Sequence, residues 1–268
     1  LMSPEQSLRA RRTLREVLSA SLTKERDASR FSLYVKTLVS LKEIDTIIEF
    51  AGDELFHEMG IGDVFLASLE TAAASIEVEP EQRFWALDGL VFAKLKSGDL
   101  ASLPERLARM EELLDEHALP RSARLALGMK RMLLKAQHHD LSGVRASIAE
   151  LGDSLPDSQQ HQRIFAYNAA TALWRLGEGA EAECLVDEVI QGYLDELGIS
   201  EAWIFGKSQQ QLRPLLDRSA SSTDDVKHLA DALELRSILL KDRGVDPGLW
   251  RLFAMKFYAL VGAVDSAV

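Results

Sequence analysis

Few side chains in this sequence combine the type and the spacing that chemistry requires. Six histidines are scattered along it: His57, His117, His138, His139, His161 and His228. His138-His139-Asp140 is the one cluster of metal-ligand types. Neighbours on a turn rarely converge on one ion, and no His-Glu-x-x-His pattern is present. The expectation there is a polar helix–helix turn with no bound metal. Cys184 is the one cysteine. It stands beside Ala182 and Leu185 with no basic group at a fixed helical spacing, so it reads as a buried small hydrophobe rather than a nucleophile. Glu111-Glu112 and Asp115-Glu116 fall on solvent faces of helical patterns. No Gly-x-x-x-x-Gly-Lys follows a strand, and Gly60-Ile61-Gly62 lacks the strand and helix of a dinucleotide loop. The reading is a chain that is not an enzyme and needs no cofactor.

What would position functional groups here is helix. Three turn-and-helix units recur, with turns at Lys96-Ser97-Gly98-Asp99, Gln137-His138-His139-Asp140 and Leu176-Gly177-Glu178-Gly179. The second helix of each carries a stripe at i, i+4, i+7: Leu103/Leu107/Met110, Val144/Ile148/Leu151 and Ala182/Val186/Val189. The stripes begin 41 and then 38 residues apart. A period near 40 with two helices per unit is the signature of a helical solenoid, which is a binding surface more often than a reaction vessel.

Helix signals run through the whole sequence and strand signals are nearly absent. Ser3-Pro4-Glu5-Gln6 joins an N-cap, a first-turn proline and a capping-box glutamine. Asp246-Pro247 repeats the cap-and-proline logic, and Pro80, Pro104 and Pro120 each open an apolar-periodic run. Pro214 sits inside a run and should break it, because it lacks the N–H donor. The pattern predicts helices at 4–22, 27–50, 53–59, 61–77, 80–96, 103–117, 120–138, 141–154, 158–176, 180–197, 200–212, 214–219, 223–243 and 247–266. Turns are expected at Ala51-Gly52-Asp53, Gly60-Ile61-Gly62-Asp63 and Arg243-Gly244-Val245-Asp246.

The chain of 268 residues is 47% hydrophobic, enough for a core. No apolar run approaches the roughly 18 residues of a membrane span, and residues 1–40 lack the apolar core of a signal peptide. A single cysteine fits a reducing, cytoplasmic setting. The net charge of −11 argues against general nucleic-acid binding. The charge is uneven: residues 1–40 carry +4, leaving −15 on the rest. That basic N-terminal helix offers contact to an acidic partner or a phosphate backbone, or is simply a solvated face. The organisation expected is one helical-repeat domain over 1–268, with a sub-boundary near 219–223 in the polar Ser219-Ala220-Ser221-Ser222-Thr223. The apolar last helix carries the expectation that the natural chain continues.

The unit from Arg163 to Leu194 resembles a tetratricopeptide repeat. It pairs Ala169 with Ala170 in the first helix, followed by Leu173, the turn glycine Gly177, and Ala182 in the second helix. These are places where the family keeps small residues so that two helices approach closely. The family often has glycine at Ala170 and tyrosine at Leu173, and its terminal proline is replaced here by Leu194. The resemblance implies an all-α fold: a right-handed superhelical array of antiparallel helix pairs. It also implies that one face of each first helix lines a concave groove. Carried onto this sequence, that face comprises Ile164, Tyr167, Thr171, Trp174 and Arg175. On the earlier units it comprises Trp85, Asp88, Phe92, Leu95 and Lys96, then Ala126, Met129, Leu133, Ala136 and Gln137. Core packing competes for these aromatics. An aromatic groove with an arginine and a lysine fits a protein or peptide partner bearing apolar anchors and an acidic group. The alternative is the ligand-sensing arm of a larger multidomain bacterial regulator, in whose sensor arms longer repeats of this style occur.

Overall fold

The computed structural model describes residues 3–22, 28–49, 62–155, 157–217 and 222–261. The helix expected at 53–59, His57, the turn Ala51-Gly52-Asp53 and Gly60-Ile61 lie outside the described residues, as do residues 219–221 of the expected linker. The described residues contain helices and no strand. In chain order these are α1 (Pro4–Leu22), α2 (Ala28–Leu41), α3 (Ile44–Glu49), α4 (Gly62–Ala74), α5 (Pro80–Ser97), α6 (Leu103–Glu116) and α7 (Arg121–Gln137). They continue with α8 (Leu141–Asp153), α9 (Gln159–Arg175), α10 (Gly179–Leu197), α11 (Glu201–Phe205), α12 (Gln209–Leu212), α13 (Ser222–Asp242) and α14 (Gly248–Val261), with a 3-10 turn at Arg213–Asp217.

The chain forms two compact units, Leu1–Lys130 and Arg131–Val268, so the division falls within the span of α7. α13, which begins at Ser222 within the stretch where a sub-boundary was expected, packs on α10. In the first unit α1 lies on α2, α4 on α5, and α5 on α6. The core holds Phe31, Val35, Leu38, Leu69, Phe84 and Leu103. In the second unit α9 packs on α10, α10 on α13, and α13 on α14, around Ala169, Ala182, Val186, Leu229, Leu233 and Phe257. Arg163, in the first turns of α9, meets Gly192 and Glu196 near the end of α10, so these two helices run antiparallel.

Local chemistry explains most of the ends. The Ser3 hydroxyl accepts from the Gln6 amide and the Gln6 side chain accepts from the Ser3 amide, closing the capping box. Pro80 and Pro104 occupy the first turns of α5 and α6. Asp140 caps α8 by accepting from Gly143 N at 2.8 Å. Pro214 falls in the 3-10 turn, as its missing donor demands. Two expected helices are split. The run 27–50 breaks because Lys42 adopts a left-handed φ of 60°, and Glu43 N bonds back to Leu38 O at 3.1 Å. The run 200–212 breaks after Phe205 because Ser208 starts a new turn with its own capping box to Gln211. The three stripes face inward, with Ile148 alone half-exposed.

Candidate functional site

In the first unit, α5 starts at Pro80 and ends at Gly98, whose φ of 73° a side chain would strain. Trp85, Asp88 and Phe92 are half-exposed on it and Lys96 is exposed. Trp85 stands edge-on to Phe84 at 5.2 Å, and its indole N–H donates to Glu81 Oε1 at 3.4 Å. Asp88 faces α7: Lys130 Nζ lies 3.1 Å from its Oδ1, and both side chains are under 20% exposed. The same ammonium sits 5.4 Å from the centre of the Phe92 ring. Asp88 thus neutralises Lys130. Met129, one residue earlier on α7, is half-exposed, while Leu95, Ala126 and Ala136 are buried.

In the second unit, Ser158 caps α9 and Gly177 ends it at φ 83°. Ala169 and Ala170 have no exposed surface, which is how α9 comes close to its neighbour. On the other face Tyr167, Thr171 and Trp174 are half-exposed and Arg175 is exposed. Thr171 Oγ donates to Tyr167 O at 2.9 Å, so its proton is committed to its own helix. The Trp174 indole N–H donates to Asp242 Oδ2 at 2.9 Å, at the end of α13. Arg175 pairs with no acid among the described residues.

Lys130 and Asp242 were not read from the sequence. For Lys130 a signal existed: it follows Asp88 by 42 residues, close to the spacing between the apolar stripes. For Asp242 none did, since the chain from Ile199 to Ser221 intervenes and lengthens the separation from Trp174 to 68.

A second feature also went unread. Between the start of α9 and the end of α10 lies an open pocket of about 440 Å³, lined by Gln162, Arg163, Glu188, Gly192, Asp195 and Glu196 among others. Arg163 is its cation, with a side chain 11% exposed. It donates to Gly192 O at 3.3 Å and stacks 4.6 Å from the Tyr193 ring centre. Gly192 is what admits it, since a Cβ there would stand 3.0 Å from Arg163 Cδ. An isolated glycine inside a helical pattern is the trace this leaves in the sequence. Burial pushes the Tyr193 phenol up to about 12. Beyond it, the Tyr258 hydroxyl lies 2.8 Å from Asp231 and 2.7 Å from Glu234, and burial together with these acids pushes its pKa far up.

Other expected features take structural roles. His139 occupies the left-handed region at φ 57° in the turn that Asp140 closes. Hydrogen bonds from Gly143 and Ser142 hold the Asp140 carboxyl below its usual range. Among the described residues no three His, Cys, Asp or Glu side chains are arranged to hold a metal ion. Cys184 is exposed rather than buried. The core stripe of α10 runs through Ala182, Val186 and Val189, and Cys184 points away from it.

No helix among the described residues is long and apolar enough to cross a membrane. The fold is that of an all-helical protein. Compared with known proteins, the chain matches no family model, no curated protein and no solved structure.

Proposed function

We propose that this chain is a tetratricopeptide-like helical-repeat scaffold that binds another protein or a peptide and performs no catalysis. The observation that carries the reading is the placement of first helices. In each unit, first helices of successive hairpins meet through side chains on one face: α5 and α7 through Asp88–Lys130, α9 and α13 through Trp174–Asp242. Beside those links Trp85 and Phe92, or Tyr167 and Arg175, keep solvent-facing surface. Aromatic and arginine side chains at the centre of a strip are what bind peptides tightly.

A peptide-display selection on the immobilised chain tests this. Enriched peptides should pair an apolar anchor with an acidic residue. The change Tyr167→Ser with Arg175→Glu should weaken them about 30-fold, or ~2 kcal/mol. No enrichment, or enriched peptides indifferent to this change, would refute the reading.

The pocket beside Arg163 favours a second reading, the ligand-sensing arm of a larger regulator. One guanidinium facing Glu188, Asp195 and Glu196 suits a small zwitterion, whose carboxylate meets Arg163 and whose ammonium meets the acids. A thermal-shift panel of free amino acids checks it, with Glu188→Gln expected to abolish any shift.

A further inference from the structure

We propose that the outward face of α1 is a self-complementary surface on which a second copy of this chain docks, with α1 antiparallel to α1. The inference uses α1 alone, so its failure leaves the peptide-binding reading untouched, and the reverse also holds.

α1 is held to its own unit from one side. Leu18 is buried, Arg11 donates to Ser40 O at 3.5 Å, and Arg15 pairs with Glu43 at 3.0 Å. The opposite side has no such anchorage. Ala10, Thr13, Leu14 and Val17 form a seam at helical spacing, lining with Gln6 and Arg9 an open trough of about 570 Å³. Val17 is 60% exposed and Leu14 37%. Along one flank of the seam stand Glu5, Arg9, Arg12 and Glu16, all exposed, and none pairs with any other group among the described residues. Other exposed arginines do find acids of their own chain, as Arg109 does with Glu112 and Arg145 with Glu178.

The mixture of signs on that flank selects the occupant. A uniformly acidic helix would meet Glu5 and Glu16, and so would an anionic bilayer, which the net charge of −11 also disfavours. The seam also lacks the aromatic residues that anchor interfacial helices. A second α1 gives Arg9 and Glu16 each an opposite charge. Arg9 and Glu16 lie seven residues apart on one flank, so an antiparallel pair places Arg9 against Glu16 of the second copy, twice, across a two-fold axis. The same register brings Val17 beside Ala10 of the second copy, large against small, and sets the two Thr13 residues next to each other. Packing and charge therefore agree on one alignment. A pair of helices about 28 Å long lies at the small end of specific interfaces, so the dissociation constant should be micromolar.

Sedimentation equilibrium of the full chain, from about 1 to 200 µM, tests the proposal in the range where such an interface operates. A monomer–dimer equilibrium is expected. Val17→Asp should abolish it, and Arg9→Glu should weaken it tenfold or more by facing Glu16 with a like charge. Arg9→Glu combined with Glu16→Arg should restore it, because the swap keeps the pair and reverses its sense. All three positions are exposed, and circular dichroism verifies that the helices persist. A monomer throughout overturns the proposal. So does a dimer indifferent to Val17→Asp, or a charge swap that fails to restore association. Co-sedimentation with phosphatidylserine vesicles that Val17→Asp removes overturns it in favour of a membrane surface.

Discussion

The two units join their helices with different chemistry. Where first helices of successive hairpins meet, the first unit uses a shielded ion pair, Asp88–Lys130, with the ammonium also over Phe92. The second uses a neutral indole donating to the exposed carboxylate of Asp242. At the first position of the second-helix stripe, the first unit has Leu103 and the second has Ala182, both with no exposed surface. Packed helix pairs in one all-helical chain therefore interlock through different side chains in the two units. Residues on the face proposed for binding are divided between joining helices and facing solvent, and the division differs from unit to unit.

That contrast can be pressed hardest at the stripe. Leu103→Ala should destabilise the first unit by about 2–4 kcal/mol through lost transfer and cavity terms. Ala182→Trp should cost about 1–3 kcal/mol or more by overpacking. Urea denaturation of each variant reads both, and a melt that Ala182→Trp leaves unchanged would mean that α10 does not approach its neighbour closely.

Alkaline pH distinguishes the units next. Tyr193 titrates near 12 when folded, against about 10 when unfolded. The folded state keeps its proton longer, so stability is undiminished below pH ~10 and falls as pH rises through 12, by about 2–3 kcal/mol. Tyr258, displaced in the same direction, adds to the loss. Tyr193→Phe should flatten the decline between pH 9 and 11.5, measured by denaturant midpoints.

The helix-joining contacts come last in size. Asp88→Ala should cost about 1–2 kcal/mol, because it strands a shielded Lys130. Asp242→Ala should cost about 0.5–1 kcal/mol, since its bond is solvent-facing. Double-mutant cycles with Lys130→Met and Trp174→Phe give the coupling in each case. High salt should shrink only the first, as screening shortens from about 10 Å at 0.1 M to 3 Å at 1 M. Equal couplings with equal salt dependence would erase the distinction.

Helices, their caps and the inward stripes were legible because each rests on residues within a few positions of one another. Pro80, Pro104, Ser3 with Gln6, and Leu103 with Leu107 and Met110 all act locally. The break at Lys42 was not legible, because a lysine in the left-handed region is held there by its surroundings and not by preference. Asp88 shows the limit for the candidate site. Periodicity puts it on one face of α5, yet whether it meets solvent or Lys130 depends on how α5 and α7 approach, which periodicity does not encode. Cys184 fails for a related reason: a small apolar residue at the edge of a stripe goes either way, and the helix rotates it outward by about 200° from Ala182.

The outward thiol has a practical side. Cys184 is exposed on a long helix, and the sequence contains no other cysteine. The unaltered protein therefore carries one natural attachment point for a fluorophore or spin label. Three of its four tryptophans, Trp174, Trp203 and Trp250, stand in the same unit as that point. Energy transfer from those indoles to a dye on Cys184 would report opening of the second unit, with no residue exchanged.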